Sequence, residues 1–341
     1  MVIIYKDSSA YIPLQSERIL GFYSSKFEFL LNKENISYRI INYRHPPFGV
    51  SDNFKDYDDW KGDYFVARFG HELSDKKYHS KNYDVIYDYY GENMWPNKQT
   101  YYYYDDKVRQ YELLKKYDRH IPSVICNNLD ELLNDVSVGT VVKSTYGAGG
   151  ESSFYIWNQK HLNYIEEYIS NCYNSEDFFP CIVQEYIDHD YEYHIFSTFD
   201  EIYGYKKKIL KEYVMPTAFP YNNVSTWTGF TYKDIGGGDY DPEYKSLNER
   251  ELEDFIEFVV DIKTELNTPN LKFDIVNGKV FEFSYLYNDT MQITDIINQG
   301  NYLSYDLKSN SFINRNYGSG EIPYWNYLQT KSILRHLGII K

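Results

Sequence analysis

The sequence lacks the features that mark several large classes of protein. Three cysteines stand in 341 residues, an odd count without CxxC spacing, which argues against a disulfide framework. No apolar run approaches the ~18 residues that span a membrane. The strand predicted at Val2–Tyr5 does not resemble a signal peptide. We therefore expect a soluble, cytoplasmic protein with reduced thiols.

Basic residues are also scarce, with 35 Lys and Arg against 50 Asp and Glu and a formal net charge of −15. Such a surface repels nucleic acid unless a basic stripe offsets the charge. The only dense basic run is Lys206 to Lys208, extended by Lys211. That run suits the phosphates of a nucleotide better than a duplex, and we expect no nucleic-acid partner.

What the chain does contain is typical of a globular protein of two or three domains, with 43% hydrophobic and 25% charged residues. Strands alternate with helical patterns over the first hundred residues, which predicts a small parallel α/β domain at 1–98. Its end is marked by the weakly periodic stretch Gly91 to Thr100.

Two helix starts are visible further along the chain. Asp105 and Asp106 can cap a helix that runs to about Tyr117, and Ser246 with Glu249 fits a capping box. The face of the first helix that we expect to be apolar carries Val108, Tyr111 and Leu114.

A glycine-rich segment, VVKSTYGAGG at Val141 to Gly150, follows a predicted strand. Glycines let backbone N–H groups approach phosphate oxygens, and Lys143 supplies a point charge. The lysine precedes the glycines, so the segment is not a Walker A loop. Alone, the pattern also fits a glycine hairpin beside a surface lysine.

A hairpin with one carboxylate on each strand is predicted at FDIVNGKVFEFS, Phe273 to Ser284, around an Asn-Gly turn. A two-residue turn would pair Asp274 with Phe281 and point Asp274 and Glu282 to opposite faces. A bulge or a longer turn would return both carboxylates to one face.

The order of these features over about Asp105 to Asn288 resembles the ATP-grasp superfamily. The features are the helix start, the lysine–glycine segment, the strands CIVQEYI and YEYHIF, and the late hairpin. The resemblance implies an α/β pre-ATP-grasp domain at 1–98, a lobe with the phosphate loop at 99–185 and a lobe with the metal hairpin at 186–341. The stretches WPNKQT and DDKVRQYELLK also resemble an ATP-grasp group associated with bacterial surface-polysaccharide gene clusters.

The resemblance implies a site for ATP and Mg²⁺. Lys107 and Lys143 would contact phosphates, and the loop with Gly147, Gly149 and Gly150 would close over them. The residues expected to hold adenine and ribose are Gln184, Glu185, Tyr186, Ile187 and Glu192. The residues expected to hold the metal are Asp274, Glu282 and Ser284.

Two positions depart from the superfamily's pattern. Ser284 stands where relatives carry Asn, so either its hydroxyl or Asn288 would complete the metal ligands. His194 stands where many relatives carry Arg, and Lys206 or Lys208 could supply that charge. An alternative for His194 is a metal cluster of acidic and histidine residues on one strand, composed of Asp188, His189, Asp190, Glu192 and His194.

The activity that the resemblance implies is ligation: ATP activates a carboxylate as an acyl phosphate, and an amine then displaces phosphate. Both substrates would be small molecules, with sugar-linked compounds as one class. A kinase on the same fold that phosphorylates a small molecule or sugar is the alternative, and a protein that only binds nucleotide is a third.

Overall fold

The strands in the described part of the chain form three sheets. The computed structural model describes residues 1–7, 27–43, 60–68, 83–104, 106–146, 153–156, 158–172, 178–208, 244–285, 301–316 and 328–341. Within these ranges the sheets have four, seven and four strands. One sheet is parallel and the other two are antiparallel, so the predicted combination of α/β and α+β parts is confirmed.

The N-terminal sheet is parallel, with strand order β2-β1-β3-β4. Its strand β1 contains the strand predicted at Val2–Tyr5. Val2, Ile3 and Ile4 are consecutive buried residues, as expected for a parallel strand covered on both faces. The elements are β1 (Val2–Asp7), α1 (27–33), β2 (Tyr38–Tyr43), β3 (Tyr64–Arg68), α2 (83–90) and β4 (Met94–Trp95).

Two helices, α3 (Lys98–Tyr103) and α4 (Lys107–Lys116), lead out of this sheet. The Asp106 carboxylate accepts a hydrogen bond from Arg109 N at 2.9 Å, so the predicted cap is confirmed. The prediction for the buried face is only partly right, because Val108 and Tyr111 are half-buried and the helix turns two polar side chains inward. The buried side chains of α4 are Lys107, Gln110, Leu113 and Leu114.

The small antiparallel sheet has strand order β5-β8-β6-β7. One of its faces buries Val142, Phe154 and Val183 against helix α6. The opposite face carries Lys143 and Gln184, because successive side chains alternate between faces. The elements are β5 (Ser123–Cys126), α5 (Leu129–Asp135), β6 (Thr140–Ser144), β7 (Ser153–Tyr155), α6 (Gln159–Cys172) and β8 (Cys181–Glu185).

The large antiparallel sheet has the order β13-β12-β9-β10-β14-β15, and β11 also pairs with β10. Its elements are β9 (Tyr191–Ser197), β10 (Glu201–Lys208), β11 (Tyr244–Ser246), α7 (Glu249–Glu265), β12 (Leu271–Val276), β13 (Lys279–Ser284), β14 (Asn301–Asp306), β15 (Ser311–Asn316) and α8 (Leu328–His336). Helix α7 covers one face, where Phe258 lies 5.1 Å from Phe273 between ring centroids. The other face carries polar side chains beside the buried rings of Phe196, Tyr203 and Tyr205.

The predicted capping box of α7 is wrong by two residues. Ser246 belongs to β11 and pairs with Tyr205 of β10, so the chain is still extended there. Asn248 is the cap instead: its side chain accepts from Glu251 N at 3.0 Å, and Glu251 accepts from Asn248 N at 3.1 Å.

Among the described helices, none combines the length and the apolar composition that crossing a membrane would need.

Candidate functional site

Polar and charged side chains collect on the face of the large sheet that α7 leaves uncovered. Paired residues on neighbouring strands share a face, and the register pairs Glu192 with Lys207, His194 with Asp274, and Lys272 with Ser284. The members of this group, called here the polar face, are Glu192, His194, Lys207, Lys272, Asp274, Glu282 and Ser284.

A bulge in the β12–β13 hairpin aligns the two predicted metal carboxylates. Asn277 and Gly278 form the predicted turn with φ of 47° and 75°. Ile275 then pairs with Val280, but the register shifts so that Asp274 pairs with Glu282. Phe281 is the extra residue, and the bulge that the sequence left open is confirmed. Directly paired residues hold their Cβ atoms about 4.5–5.5 Å apart, close enough for both carboxylates to share one cation.

Asp274 is the most strongly engaged carboxylate of the polar face. Lys272 Nζ lies 2.8 Å from its Oδ1 and donates to its Oδ2 at 3.1 Å. His194 Nδ1 lies 2.6 Å from Asp274 Oδ1. Burial acts to raise the pKa of Asp274, but Lys272 and His194 outweigh it and hold that pKa well below its usual range. Asp274 is therefore anionic wherever the protein is folded near neutral pH.

His194 lies between two carboxylates. Its Nε2 is 3.2 Å from Glu192 Oε1, and the ligand atoms of Glu192, His194 and Asp274 all lie within 4.8 Å of one another. Among the described side chains, both ring nitrogens of His194 and Oδ1 of Asp274 are buried without a well-aligned hydrogen bond. Buried polar atoms need a partner, which a bound cation or ligand oxygen would supply.

The donor set of the polar face fits Mg²⁺. That ion takes hard oxygen ligands and usually shares them with the phosphates of a substrate. Asp274 and Glu282 offer such oxygens side by side, and Ser284 lies one alternate position beyond Glu282. The alternative metal cluster forms only in part. Of its predicted members Asp188, His189, Asp190, Glu192 and His194, the last two bring their ligand atoms together, and the third residue of the group is Asp274.

Lys143 reaches the polar face from the small sheet, and Lys107 lies near Lys143. Lys143, on β6, places its Nζ 3.5 Å from the carbonyl oxygen of Phe281. Lys107 begins α4, and its backbone N–H donates to Thr145 O at 2.9 Å, just after β6. Burial, which Glu282 opposes and the nearby Lys107 reinforces, lowers the pKa of Lys143 to about 8. The predicted phosphate lysines and metal carboxylates therefore lie together.

The residues expected to hold adenine lie at the end of β8. Gln184 is buried, shares a face with Lys143, and donates from Nε2 to Ser123 Oγ at 3.3 Å. Glu185 is exposed. Tyr186 N donates to Gly139 O at 3.3 Å, and Ile187 O is 2.7 Å from His189 Nδ1. Tyr155 adds a ring 4.8 Å from that of Tyr186, an aromatic contact that the sequence did not indicate.

The structure does not bring Lys206 to the polar face. Its side chain forms an ion pair with Glu251 of α7 and lies over the ring of Tyr191 at 5.1 Å. Lys208 lies on the same side of the sheet as Lys206, because side chains two residues apart on a strand share a face. Lys207 lies on the polar face, where we expected Lys206 or Lys208, and its Nζ is 3.6 Å from Glu192 Oε2.

Lys207 and Lys272 are site residues that our sequence reasoning missed. Each was detectable from alternation along its strand: Lys272 stands two residues before Asp274, and Lys207 lies opposite Glu192 in the hairpin of β9 and β10. The predicted loop residues Gly147, Gly149 and Gly150, and the candidate ligand Asn288, lie outside the described residues.

Comparison with solved structures identifies the fold. D-alanine–D-alanine ligase from Bacillus anthracis, complexed with ATP, is similar with a TM-score of 0.52 and 12% identity over 84% of this chain and 85% of that one. A RimK-domain ATP-grasp protein from Sphaerobacter thermophilus matches with a TM-score of 0.53 and 10% identity, over 87% of this chain and 96% of that one. N5-carboxyaminoimidazole synthetase from Staphylococcus aureus matches with a TM-score of 0.53 and 12% identity, over 99% of this chain and 77% of that one.

No protein-family model matches the chain, and no curated protein does. The structural likenesses nevertheless cover 84%, 87% and 99% of this chain. The chain has the ATP-grasp fold.

Proposed function

We propose that the chain is an MgATP-dependent ligase that activates a carboxylate and joins it to an amine. The observation that carries this proposal is the bulged hairpin, which pairs Asp274 with Glu282 beside Lys143. Carboxylates for a divalent cation and lysines for phosphates are the two charge sets that phosphoryl transfer requires. The ATP-grasp fold of the chain supports the same activity.

The phosphates would lie between the small sheet and the polar face. Lys143 and Lys107 would contact them from the side of the small sheet, while Lys272 and Lys207 approach from the large sheet. Mg²⁺ bound by Asp274, Glu282 and Ser284 would neutralise charge on the phosphate oxygens. Four lysines and the cation would offset the negative charge of the triphosphate.

The base and ribose would lie toward the end of β8. Gln184 to Ile187 would line the adenine pocket, with the ring of Tyr155 beside Tyr186. Glu192 would face the ribose hydroxyls. His194, at 2.6 Å from Asp274, would orient that carboxylate and need not touch the phosphates itself.

In the proposed reaction, a carboxylate oxygen of the first substrate attacks the γ-phosphorus and ADP leaves. The amine nitrogen then attacks the carbonyl carbon of the acyl phosphate, phosphate leaves, and an amide forms. The protein's part is to align the reactants and to surround the γ-phosphate with fixed cations, which needs no dedicated acid or base. Sugar-linked carboxylates and amines, as found in surface glycans, are one proposed substrate class.

The test is ATP turnover against a panel of carboxylates and amines, with ADP, free phosphate and organic products measured together. A ligase releases ADP and phosphate in equal amounts, and only when both co-substrates are present. Asp274→Asn serves as the inactive control. Stoichiometric ADP without free phosphate, with a stable phosphorylated product and no need for an amine, would instead establish the kinase.

A further inference from the structure

The outer edge of β13 is held by groups that do not belong to a strand. β13 lies at the end of the strand order of the large sheet, so its outward N–H and C=O groups need other partners. Val280 N donates to Arg119 O at 2.7 Å, and Phe281 O faces Lys143 Nζ at 3.5 Å. The third partner, at Phe283, is a side chain of α4.

Gln110 pairs with Phe283 as a neighbouring strand would. Its Nε2 donates to Phe283 O at 2.8 Å, and its Oε1 accepts from Phe283 N at 3.2 Å. The same Nε2 donates to Tyr103 O at 3.0 Å. Gln110 is only 3% exposed. One side-chain amide therefore satisfies both backbone groups of a single residue on a sheet edge.

The position of this contact in the chain couples two parts of the site. Phe283 lies between Glu282 and Ser284, whose side chains point to the polar face. Gln110 stands three residues after Lys107, on the same face of α4. A shift of β13 against α4 would thus move Glu282 and Ser284 relative to Lys107.

We propose that Gln110 is a positioning residue for the metal-binding hairpin, an inference that rests on the proposed MgATP function. The amide fixes the backbone of β13, and the fixed backbone sets where the Glu282 and Ser284 oxygens meet the cation. Mutation of residues that hold metal ligands in place typically costs about 10- to 100-fold in metal affinity or activity.

The experiment compares Gln110→Met, Gln110→Glu and Tyr111→Phe in the full chain. Gln110→Met keeps the length of the side chain and removes both hydrogen bonds to Phe283. Gln110→Glu keeps an acceptor for Phe283 N but loses the donor to Phe283 O. Tyr111→Phe is the matched control on the same helix, because the one hydrogen bond that it removes goes to Ser123 O of β5, at 2.8 Å, and not to the hairpin.

Two readouts are taken: the Mg²⁺ concentration that half-saturates ATP binding, and hydrogen exchange of the Phe283 amide in the nucleotide-free protein. Gln110→Met should raise the half-saturating Mg²⁺ about 10- to 100-fold and speed exchange at Phe283. ATP affinity without Mg²⁺ should be unchanged. Gln110→Glu should raise the half-saturating Mg²⁺ as well, because a buried carboxylate oxygen would then face the carbonyl oxygens of Phe283 and Tyr103. Tyr111→Phe should match the wild type.

A folded Gln110→Met variant with the wild-type Mg²⁺ requirement would overturn the inference and leave the proposed function standing. If Gln110→Met does not fold, Gln110→Glu decides: a rise in the half-saturating Mg²⁺ supports the positioning role, and a wild-type value overturns it. Equal rises in Gln110→Met and Tyr111→Phe would also overturn it, because any loosening of α4 would then suffice. A wild-type protein that binds no ATP with Mg²⁺ overturns the proposed function and this inference together.

Discussion

Binding of MgATP should take up a proton at Lys143 in alkaline buffer. Burial, together with Lys107, holds the pKa of Lys143 at about 8 in the nucleotide-free protein, against an ordinary value of about 10.4 for lysine. Contact with a polyphosphate favours the ammonium form, so the pKa of bound Lys143 should rise toward the ordinary value. At a pH between these two pKa values, Lys143 is then mostly deprotonated in the free protein and mostly protonated in the nucleotide-bound protein.

The size of the effect follows from the two pKa values. At pH 8.5 the protonated fraction should rise from about one quarter to nearly one, an uptake of about 0.7 proton per nucleotide, against about 0.1 at pH 7. The affinity for MgATP should be full below pH 8 and fall as the pH rises from 8 toward 10, because the free protein must then gain the proton on binding. Calorimetry at pH 8.5 in buffers of different ionisation enthalpy measures the uptake.

Lys143→Met should abolish the proton uptake and weaken binding by about 1.5–3 kcal/mol, the range for a hydrogen bond to a charged group. Lys160→Met, an exposed lysine at the start of α6, is the control and should keep both the uptake and the affinity. If the wild-type protein binds MgATP with the same heat in buffers of different ionisation enthalpy at pH 8.5, the predicted proton uptake at Lys143 is wrong.

Three further experiments probe the site and its support. Asp274→Asn or Glu282→Gln should abolish ATP turnover with the fold intact by circular dichroism; near wild-type turnover in saturating Mg²⁺ would move the metal site elsewhere. Lys207→Met should lower turnover, whereas Lys206→Met should lower mainly the stability, by about 1 kcal/mol or less; equal turnover of the two variants would contradict the face assignment. Gly204→Ala should destabilise by about 1–3 kcal/mol, because a Cβ there would lie 2.7 Å from a β9 carbonyl oxygen; an unchanged melting temperature would count against this packing.

Much of the fold was predictable because the local signals are strong. The buried run at Val2 to Ile4, the Asp106 cap and the Asn277-Gly278 turn each specify an element over a few residues, and all three are found in the structure. The capping box at Ser246 failed because pairing with β10 kept that residue extended, a tertiary effect invisible in the local sequence.

The site was less predictable, because its geometry depends on contacts between distant strands. Strict alternation would separate Asp274 from Glu282, and only the bulge at Phe281 reunites them. Which lysine of the basic run faces the site depends on the register of β10 against β9, so Lys207 rather than Lys206 lies there. The hydrogen bonds of Gln110 to β13, 173 residues away, have no signature in the sequence.

The most direct test of the proposed MgATP site is a crystal structure of the protein with a non-hydrolysable ATP analogue and Mn²⁺, in which anomalous scattering locates the metal. We expect a metal peak within about 2.2 Å of oxygens of both Asp274 and Glu282, with the triphosphate against Lys143. A metal peak away from the β12–β13 hairpin, or a nucleotide bound elsewhere on the chain, would contradict it.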